Sequence, residues 1–321
     1  MTAIKHEGDL PKVTVMIPTY RQSAWILDAV DSALAQDYPN LEVIVADDAS
    51  PDATAAVAAQ RHDPRLRVES NSSNLGRVGN YRHLLYDLAC GEWVVNLDGD
   101  DYFSDPGFIS SAIAVTLREP EVVIVGARVA HRTGTSETAA EGPRAGVIEG
   151  LEMLARLDDT RYRLMHPATL YHRDTALRCE FYRVNAASAD WESLFRLAAR
   201  GRVAYLDRVV AVWRLHGGNS SQQLDWQGLF ANVRIWDAIY ANAMQHGMNP
   251  RTAESVRARV VYSQIWRDLA RLLTARKPGA AWHYAKAVRA LTAGASPSLR
   301  ARGAILGRIV RDHIGARMRG T

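Results

Sequence analysis

Cysteine is scarce in this chain, and long apolar runs are absent. The 321 residues include two cysteines, Cys90 and Cys179, and neither lies in a CxxC or Cys/His spacing. Two such residues form neither a disulfide framework nor a thiolate metal site, so we interpret both as buried thiols. No apolar run approaches the roughly 18 residues of a membrane span, and the first residues lack the apolar stretch of a signal peptide. We therefore expect a cytoplasmic protein.

Two phosphate-binding motifs are also missing. The sequence contains neither the GxGxxG of dinucleotide-binding domains nor the GxxxxGK[ST] of P-loop proteins. A sugar-1-phosphate nucleotidyltransferase would need a glycine-rich loop with a basic residue directly after the first strand, where this chain has Pro18-Thr-Tyr-Arg21. That enzyme class is kept as an alternative.

Acidic residues are rare in the C-terminal part. Residues 251–321 hold 15 Lys and Arg against 3 Asp and Glu, whereas the whole chain has a net charge of +4. This pattern predicts contact with an anionic membrane surface, a packing helix or a dimer contact being the alternatives. Few aromatic residues are interleaved and no nucleic-acid motif occurs, so we expect no nucleic-acid partner, and a non-catalytic polyanion-binding scaffold is the remaining alternative. The arginines concerned are Arg302, Arg308, Arg311, Arg317 and Arg319.

Strands alternate with helices from Lys12 to about Ser220, which predicts an α/β fold with a mostly parallel sheet flanked by helices. A mobile loop is expected at 134–146, and helical periodicity starts after Gly217. We expect about four helices there. The predicted strands are 13–17, 41–46, 66–68, 93–97, 122–125, 168–171 and two within 203–216, and the predicted helices include 24–36, 54–60, 81–89 and 193–199.

Polar side chains follow three of the predicted strands. Open α/β sheets bind ligands at the carboxyl ends of their strands, so these side chains indicate a site. The Asp98-x-Asp100-Asp101 cluster offers the oxygen ligands that Mg²⁺ or Mn²⁺ prefers when a diphosphate completes the shell. Tyr20 offers an aromatic face and Asp47 or Asp48 a hydrogen-bond acceptor. The alternatives are a polar loop, a surface tyrosine and an Asx turn with Ser50.

Four blocks, taken in order, resemble family 2 glycosyltransferases of the GT-A fold. The resemblance covers about residues 12–221. It implies an inverting enzyme that takes a sugar from a nucleotide donor, a UDP-sugar. The sugar would go to a hydroxyl of a glycan or lipid-linked acceptor in cell-surface polysaccharide biosynthesis. It divides the chain into a glycosyltransferase domain (1–221, with halves at about 12–105 and 106–221) and a basic helical region (222–321). The blocks are VTVMIPTY (13–20), LEVIVADDAS (41–50), NLG through GEWVVNLDGDD (74–101) and ADWESLFRLAARGRVAYLDRVVAVWRLHGGNSS (189–221).

The resemblance also implies roles on the donor side. Pro18 and Tyr20 lie at the base, and Asp48, with Asp47 as the weaker candidate, accepts a hydrogen bond from it. Arg77 is implied to lie near the base or the diphosphate, and Asp98 to contact the ribose. Asp100 is implied to bind a Mn²⁺ or Mg²⁺ ion. Asp101 would either bind the same ion or support the residues that bind it. One departure concerns Asn80-Tyr-Arg-His83, which replaces the family's Ala-Arg-Asn-x-Gly run, so this helix is expected to contact the nucleotide differently.

On the acceptor side the resemblance implies that Asp190 is the general base, with Glu192 as rival and a helix N-cap as the structural alternative for Asp190. Strand alternation puts Arg214 and His216 on one side, where His216 would contact metal or phosphate and Arg214 would clamp the diphosphate. The alternative for His216 is a structural histidine. The expected partners are a UDP-sugar, the acceptor, the inner face of the cell membrane and a second copy bound through the C-terminal helices.

Overall fold

Ten strands form one mixed sheet in the computed structural model of the chain, which describes residues 10–139, 142, 144–219 and 224–292. They alternate with helices over the first half of the chain, as the sequence predicts. The strands are β1 Val13–Thr19, β2 Leu41–Asp47, β3 Leu66–Ser70, β4 Trp93–Asn96, β5 Tyr102–Phe103, β6 Val122–Thr133, β7 Ser136–Ala139, β8 Gly146–Glu149, β9 Thr169–His172 and β10 Arg202–Arg214.

The strand order is β3-β2-β1-β4-β9-β6-β10-β5, with β7 paired to β6 and β8 to β10. The strands β3, β2, β1 and β4 are parallel, and so are β6 and β10. Strand β9 joins these two parallel groups and runs antiparallel to both β4 and β6. The predicted α/β class with a mostly parallel sheet is confirmed.

Helices cover the sheet because their apolar residues recur at helical spacing. In the first helix Ile26, Ala29, Val30 and Ala33 are fully buried and belong to the same core as Val15 of β1. The helices are α1 Ile26–Leu34, α2 Thr54–Ala58, α3 Arg77–His83, α4 Phe108–Arg118, α5 Gly150–Leu154, α6 Arg173–Arg178, α7 Ala189–Ala198, α8 Trp226–Gln245, α9 Pro250–Thr274 and α10 Pro278–Thr292, with a π-helical turn at Leu84–Leu88 and 3-10 turns at Thr160–Tyr162 and His166–Ala168.

Several predicted elements have different bounds. Strand β10 is one strand rather than two, because register shifts against β6 absorb its polar middle. Part of the segment expected to be a loop forms β7, which pairs with β6. Helix α3 begins at Arg77 instead of Tyr81, and Gly76 in front of it has a φ of +75°. The interpretation of both cysteines as buried is wrong for Cys90, which is exposed.

The chain divides into two compact units. The first contains Asp159–Asn185, Ala189–His216 and the described residues up to Leu154, and the second contains Ala155–Asp158, Ala186–Ser188 and the described residues from Gly217 to Thr292. None of the described helices is long and apolar enough to cross a membrane. The fourth C-terminal helix and the five tail arginines lie outside the described residues. The predicted domain limits stay predictions.

Candidate active site

The carboxylate of Asp48, directly after β2, is fixed by two donors. Its Oδ1 atom accepts hydrogen bonds from the backbone N–H of Leu75 at 2.7 Å and from Asn71 Nδ2 at 2.9 Å. The backbone N–H of Asp48 donates to the carbonyl of Thr19, which joins the ends of β1 and β2. Because Oδ1 is used within the fold, Oδ2 is the oxygen of Asp48 that can accept a hydrogen from a ligand.

Asp47 supports the turn beside this carboxylate. Its Oδ2 atom accepts a hydrogen bond from the backbone N–H of Ser50 at 3.0 Å, which is the Asx turn weighed as an alternative. Ala49 between them has a φ of +55°, in the left-handed region. Oδ1 of Asp47 is buried without a hydrogen-bond partner among the described residues. The geometry therefore favours Asp48 over Asp47 as the ligand acceptor.

Two exposed apolar side chains border Asp48. Tyr20 follows the buried strand β1 and is 42% exposed, and Leu75 lies in an exposed loop and is 48% exposed. Arg21 places its guanidinium carbon 5.2 Å from the centroid of the Tyr20 ring. An exposed ring beside a fixed hydrogen-bond acceptor is the arrangement that stacking and reading a nucleobase requires.

The acidic turn after β4 is held tightly against β1. The backbone N–H of Gly99 donates to the carbonyl of Pro18 at 3.1 Å, and this backbone contact is how Pro18 takes part in the site. A Cβ atom added at Gly99 would lie 2.6 Å from Gln22 Oε1 and 2.8 Å from Thr19 Oγ1. The close approach therefore requires glycine between Asp98 and Asp100.

Asp98 is oriented by two neighbouring side chains. The hydroxyl of Tyr81 on α3 donates to Asp98 Oδ1 at 2.9 Å, and Asn96 Nδ2 donates to the same oxygen at 2.9 Å. Burial and the Asp98 charge raise the pKa of Tyr81 well above its usual value, so its hydroxyl keeps its proton. The carboxylate of Asp98 is thus pre-positioned by donors that stay protonated.

Asp100 and His216 come together although 116 positions separate them in the chain. His216 Nε2 lies 2.9 Å from Asp100 Oδ2, and the imidazole stacks on Trp25 with ring centroids 4.3 Å apart. Burial raises the pKa of Asp100, the charge of Asp98 raises it further, and His216 opposes both. The two predicted metal contacts are therefore adjacent, in a place where acidic groups repel each other.

Arg214 supports the acidic turn in this structure. Its backbone N–H donates to Asp101 Oδ1 at 2.9 Å, and its Nη1 donates to the carbonyl of Asp100 at 3.1 Å. The guanidinium also pairs with Asp28 and stacks over Tyr102 at 4.5 Å from the ring centroid. Strand β10 ends at Arg214, so strand alternation does not govern His216. The predicted clamping of a diphosphate by Arg214 stays a prediction.

The donor set at this turn fits a divalent cation. Burial, followed by the charges of Asp100 and Asp98, raises the pKa of Asp101 well above its usual range, and Arg214 opposes that rise. A carboxylate and an imidazole are both ligands of Mn²⁺, and such ions commonly complete their shell with substrate phosphates. Within the described ranges, no three His, Cys, Asp or Glu side chains form a complete metal cage.

Asp190 lies in the first turn of α7, which begins at Ala189, so it is inside the helix and is not its N-cap. Arg77, the first residue of α3, donates from Nη1 to the Tyr81 hydroxyl at 3.3 Å. Burial lowers the pKa of Arg77, but Tyr81 and the charges of Asp190 and Asp98 outweigh burial and raise it overall. Arg77 is therefore within electrostatic range of both carboxylates.

Glu192, the rival candidate base, is fully buried. Its Oε1 atom accepts from Arg196 Nε at 2.7 Å and from Arg183 Nε at 3.2 Å. Arg196 also donates to the backbone carbonyls of Cys179 and Glu180, so the pair fixes the segment before α7. A buried, doubly paired carboxylate is not accessible to an acceptor hydroxyl, and the geometry favours Asp190 over Glu192.

A buried network lies under the site, and its members Asn96 and Tyr182 were not predicted from the sequence. His166 is 6% exposed; its Nδ1 atom lies 3.2 Å from Asn96 Nδ2 and its Nε2 atom lies 2.6 Å from the hydroxyl of Tyr182. Burial lowers the pKa of His166, which favours a neutral ring that accepts from Asn96 and donates to Tyr182. Asn96 in the apolar strand WVVN was a usable signal, whereas nothing local marked Tyr182.

The predicted residues are thus gathered by α3 and the strand ends of the first unit. Asn80 of α3 donates to the carbonyl of Ala46 at 2.8 Å and accepts from Asn71, which links α3 to the Asp48 end. Its neighbour Tyr81 contacts Asp98. The Asn80 run that departs from the family pattern therefore supports the strand ends from within the fold.

Comparison with known proteins finds several relatives that match parts of this chain. The chain is 29% identical over 211 residues to Rv1520 of Mycobacterium tuberculosis, covering 64% of this chain and 59% of that protein. It is 40% identical over 92 residues to the succinoglycan biosynthesis protein ExoO of Rhizobium meliloti, covering 29% of this chain and 26% of ExoO. The chain therefore spans about three fifths, or less, of these relatives.

Solved structures show the same fold. The crystal structure of Staphylococcus aureus TarS 1–349 with UDP-GlcNAc matches with a TM-score of 0.71 at 17% identity, over 95% of this chain and 92% of that one. The fold is the GT-A fold of TarS, extended by C-terminal helices. The model of glycosyl transferase family 2 matches residues 14–179, which is more than half of the chain, and the protein therefore belongs to glycosyl transferase family 2.

Proposed function

We propose that the protein is an inverting, metal-dependent glycosyltransferase that moves a sugar from a UDP-sugar to a hydroxyl of a glycan or lipid-linked acceptor in cell-surface polysaccharide biosynthesis. The observation that carries the proposal is the position of Arg77 and Tyr81: Arg77 donates to the Tyr81 hydroxyl, that hydroxyl donates to Asp98, and the charge of Asp190 acts on both residues. Asp98 follows β4 and Asp190 lies in the first turn of α7, 92 positions later, and both acids are within electrostatic range of Arg77 and Tyr81.

Asp190 supplies the base for a single displacement. Its carboxylate takes the proton of the acceptor hydroxyl as the hydroxyl oxygen bonds to the anomeric carbon. The bond from that carbon to the diphosphate oxygen breaks, and the leaving UDP keeps the electron pair. One displacement inverts the anomeric configuration. Arg77, which stays charged beside Asp98 and Asp190, stabilises negative charge that develops on the donor.

Asp100 and His216 would hold the divalent cation. Such an ion supplies electrostatic stabilisation of a departing diphosphate. Around it the chain's own residues do the positioning: Tyr81 and Asn96 orient Asp98 toward the ribose, and the Trp25 ring supports His216. The name of one relative supports a lipid-linked acceptor: it is a GalNAc(5)-diNAcBac-PP-undecaprenol beta-1,3-glucosyltransferase of Campylobacter jejuni, 38% identical over 95 residues, with 29% of this chain and 30% of that protein covered.

The donors on Asp48 favour uracil as the base. Uracil presents one N–H on its pairing edge between two carbonyls, whereas guanine presents two adjacent N–H groups that match both oxygens of a carboxylate. Oδ1 of Asp48 already accepts from Leu75 and Asn71, so a single oxygen is left for the base. We therefore expect UDP to bind more tightly than GDP by about tenfold or more.

Calorimetric titration of UDP with and without Mn²⁺ tests the donor site. We expect Mn²⁺ to strengthen binding by at least about tenfold in the wild type and to have no effect in Asp100→Asn, because that variant loses a charged ligand. Asp87→Asn on an exposed residue is the matched control and should behave as the wild type. Equal Mn²⁺ dependence in the Asp100 variant would reject this metal site.

A further inference from the structure

We propose that the outward face of α10 docks the protein on an anionic phospholipid surface. This inference concerns the C-terminal unit and stands independently of the transferase activity. Three residues form the docking face: Trp282, Lys286 and Arg289, spaced four and three positions apart. All three are exposed, and the Trp282 side chain is 43% exposed.

The orientation of α10 is fixed from its other side. Tyr284 is buried and donates from its hydroxyl to Asp268 Oδ2 of α9 at 2.7 Å, and Val288 is buried one turn further on. His283 stacks on Trp226 of α8 with ring centroids 5.7 Å apart. At 100° per residue, Trp282, Lys286 and Arg289 project opposite to Tyr284, so the packing that buries one side of the helix presents the docking face outward.

The stretch of sequence that contains the docking face is mostly basic. Between residues 260 and 290 the chain carries six basic residues and a single acidic one, Asp268, which is buried. An anionic bilayer attracts such a patch, and each Lys or Arg near its surface strengthens binding about fivefold. The six are Arg267, Arg271, Arg276, Lys277, Lys286 and Arg289.

Trp282 distinguishes a bilayer from other polyanions. An indole prefers the membrane–water interface because its ring is apolar and its N–H is polar, and the lysine and arginine stems beside it can lie on the same apolar layer. A nucleic acid would need several aromatic residues or a groove-sized element interleaved with the cations, and the docking face has one ring. The observations therefore favour the lipid surface.

Sedimentation with vesicles tests the proposal on the full chain. We expect binding to vesicles of 30% phosphatidylserine, little binding to pure phosphatidylcholine, and about 25-fold or greater weakening for Lys286→Glu/Arg289→Glu, since two attractions are lost. Trp282→Ala should weaken binding several-fold, whereas Met244→Ala, which removes a 42%-exposed apolar side chain on α8, should not. Unchanged far-UV circular dichroism and an unchanged urea unfolding transition in each variant show that the protein remains folded.

The position of the indole gives a second readout. Brominated lipids should quench part of the emission of the eight tryptophans in the wild type and quench less in Trp282→Phe. Wild-type vesicle binding by the double charge reversal would overturn the proposal. Tight binding to duplex RNA together with no binding to anionic vesicles would overturn it as well, in favour of a nucleic-acid surface.

Discussion

Both compact units bury acidic side chains, but different kinds of neighbouring group offset the cost of burial in each unit. In the first unit Glu192 is buried between two arginines, and Asp100 is buried against His216. In the second unit Asp268 is buried in a helix pair, where the neutral hydroxyl of Tyr284 and the amide of Gln264 bond to it. The first arrangement keeps charge inside the fold and can serve ligands, whereas the second favours a protonated acid and serves packing.

Breaking the buried ion pair between Glu192 and Arg196 is expected to cause the largest loss of stability. Replacing Glu192 by Gln leaves Arg196 buried without its counter-charge, so we expect the free energy of unfolding to fall by about 3–5 kcal/mol. Glu119→Gln breaks a surface pair with Arg202 and should cost at most about 1 kcal/mol. Urea denaturation of both variants measures the difference. Equal small losses would mean that the buried pair is not a charged clamp.

The buried Asp268 is expected to make the free energy of unfolding depend on pH, with an effect of intermediate size. Burial raises the pKa of Asp268 to about 6, with Tyr284, Gln264 and the charges of Arg267 and Arg271 opposing it. Because the folded pKa lies above the unfolded value of about 4, the stabilisation is fully present below pH 4 and is lost as the pH rises through about 6.

Asp268→Asn tests this sign, since the amide still accepts from Tyr284 without titrating. Between pH 4 and pH 7.5 the wild type should lose about 2–3 kcal/mol relative to the variant, measured as the difference in unfolding free energy. Parallel pH profiles for the two proteins would show that Asp268 is ionised in the folded state throughout, and the contrast between the units would disappear.

A smaller effect, on nucleotide affinity, is expected at Asp48, where the nucleobase is proposed to bind. Asp48→Asn replaces an acceptor by an amide that can also donate, so UDP should bind about tenfold more weakly while CDP, whose base presents an acceptor at the same place, should gain. Asp47→Asn is the matched control, because Asp47 holds the Ser50 turn. Competition binding of the two nucleotides measures the change. A stronger effect at Asp47 than at Asp48 would reverse their assignment.

Much of the first unit could be predicted because its signals are local. The strands of VTVMIPTY and LEVIVADD are short apolar runs that end in polar residues, and parallel strands bring such ends to one edge. Strand β10 was split in two by its polar residues Asp207 and Arg208, since a β-bulge is not visible as a sequence pattern. Pairing with β6 decides that strand.

The supports of the site could not be predicted, because they depend on contacts between distant segments. Tyr182 meets His166 and Arg196 meets the carbonyl of Cys179 only once α7 packs beside the sheet. Asp190 and Glu192 are both acids in the first turn of a helix, and the sequence leaves both open as the base. Burial of Glu192 against Arg196 separates them.

The central claim is that Asp190 and the acidic turn serve one reaction centre. It is tested most directly by measuring turnover of UDP-sugar and affinity for UDP with Mn²⁺ on the same Asp190→Asn preparation, beside the exposed control Asp174→Asn. We expect unchanged affinity with turnover lowered about a thousandfold in the Asp190 variant, and wild-type values for both in the control. Wild-type turnover in Asp190→Asn would contradict it.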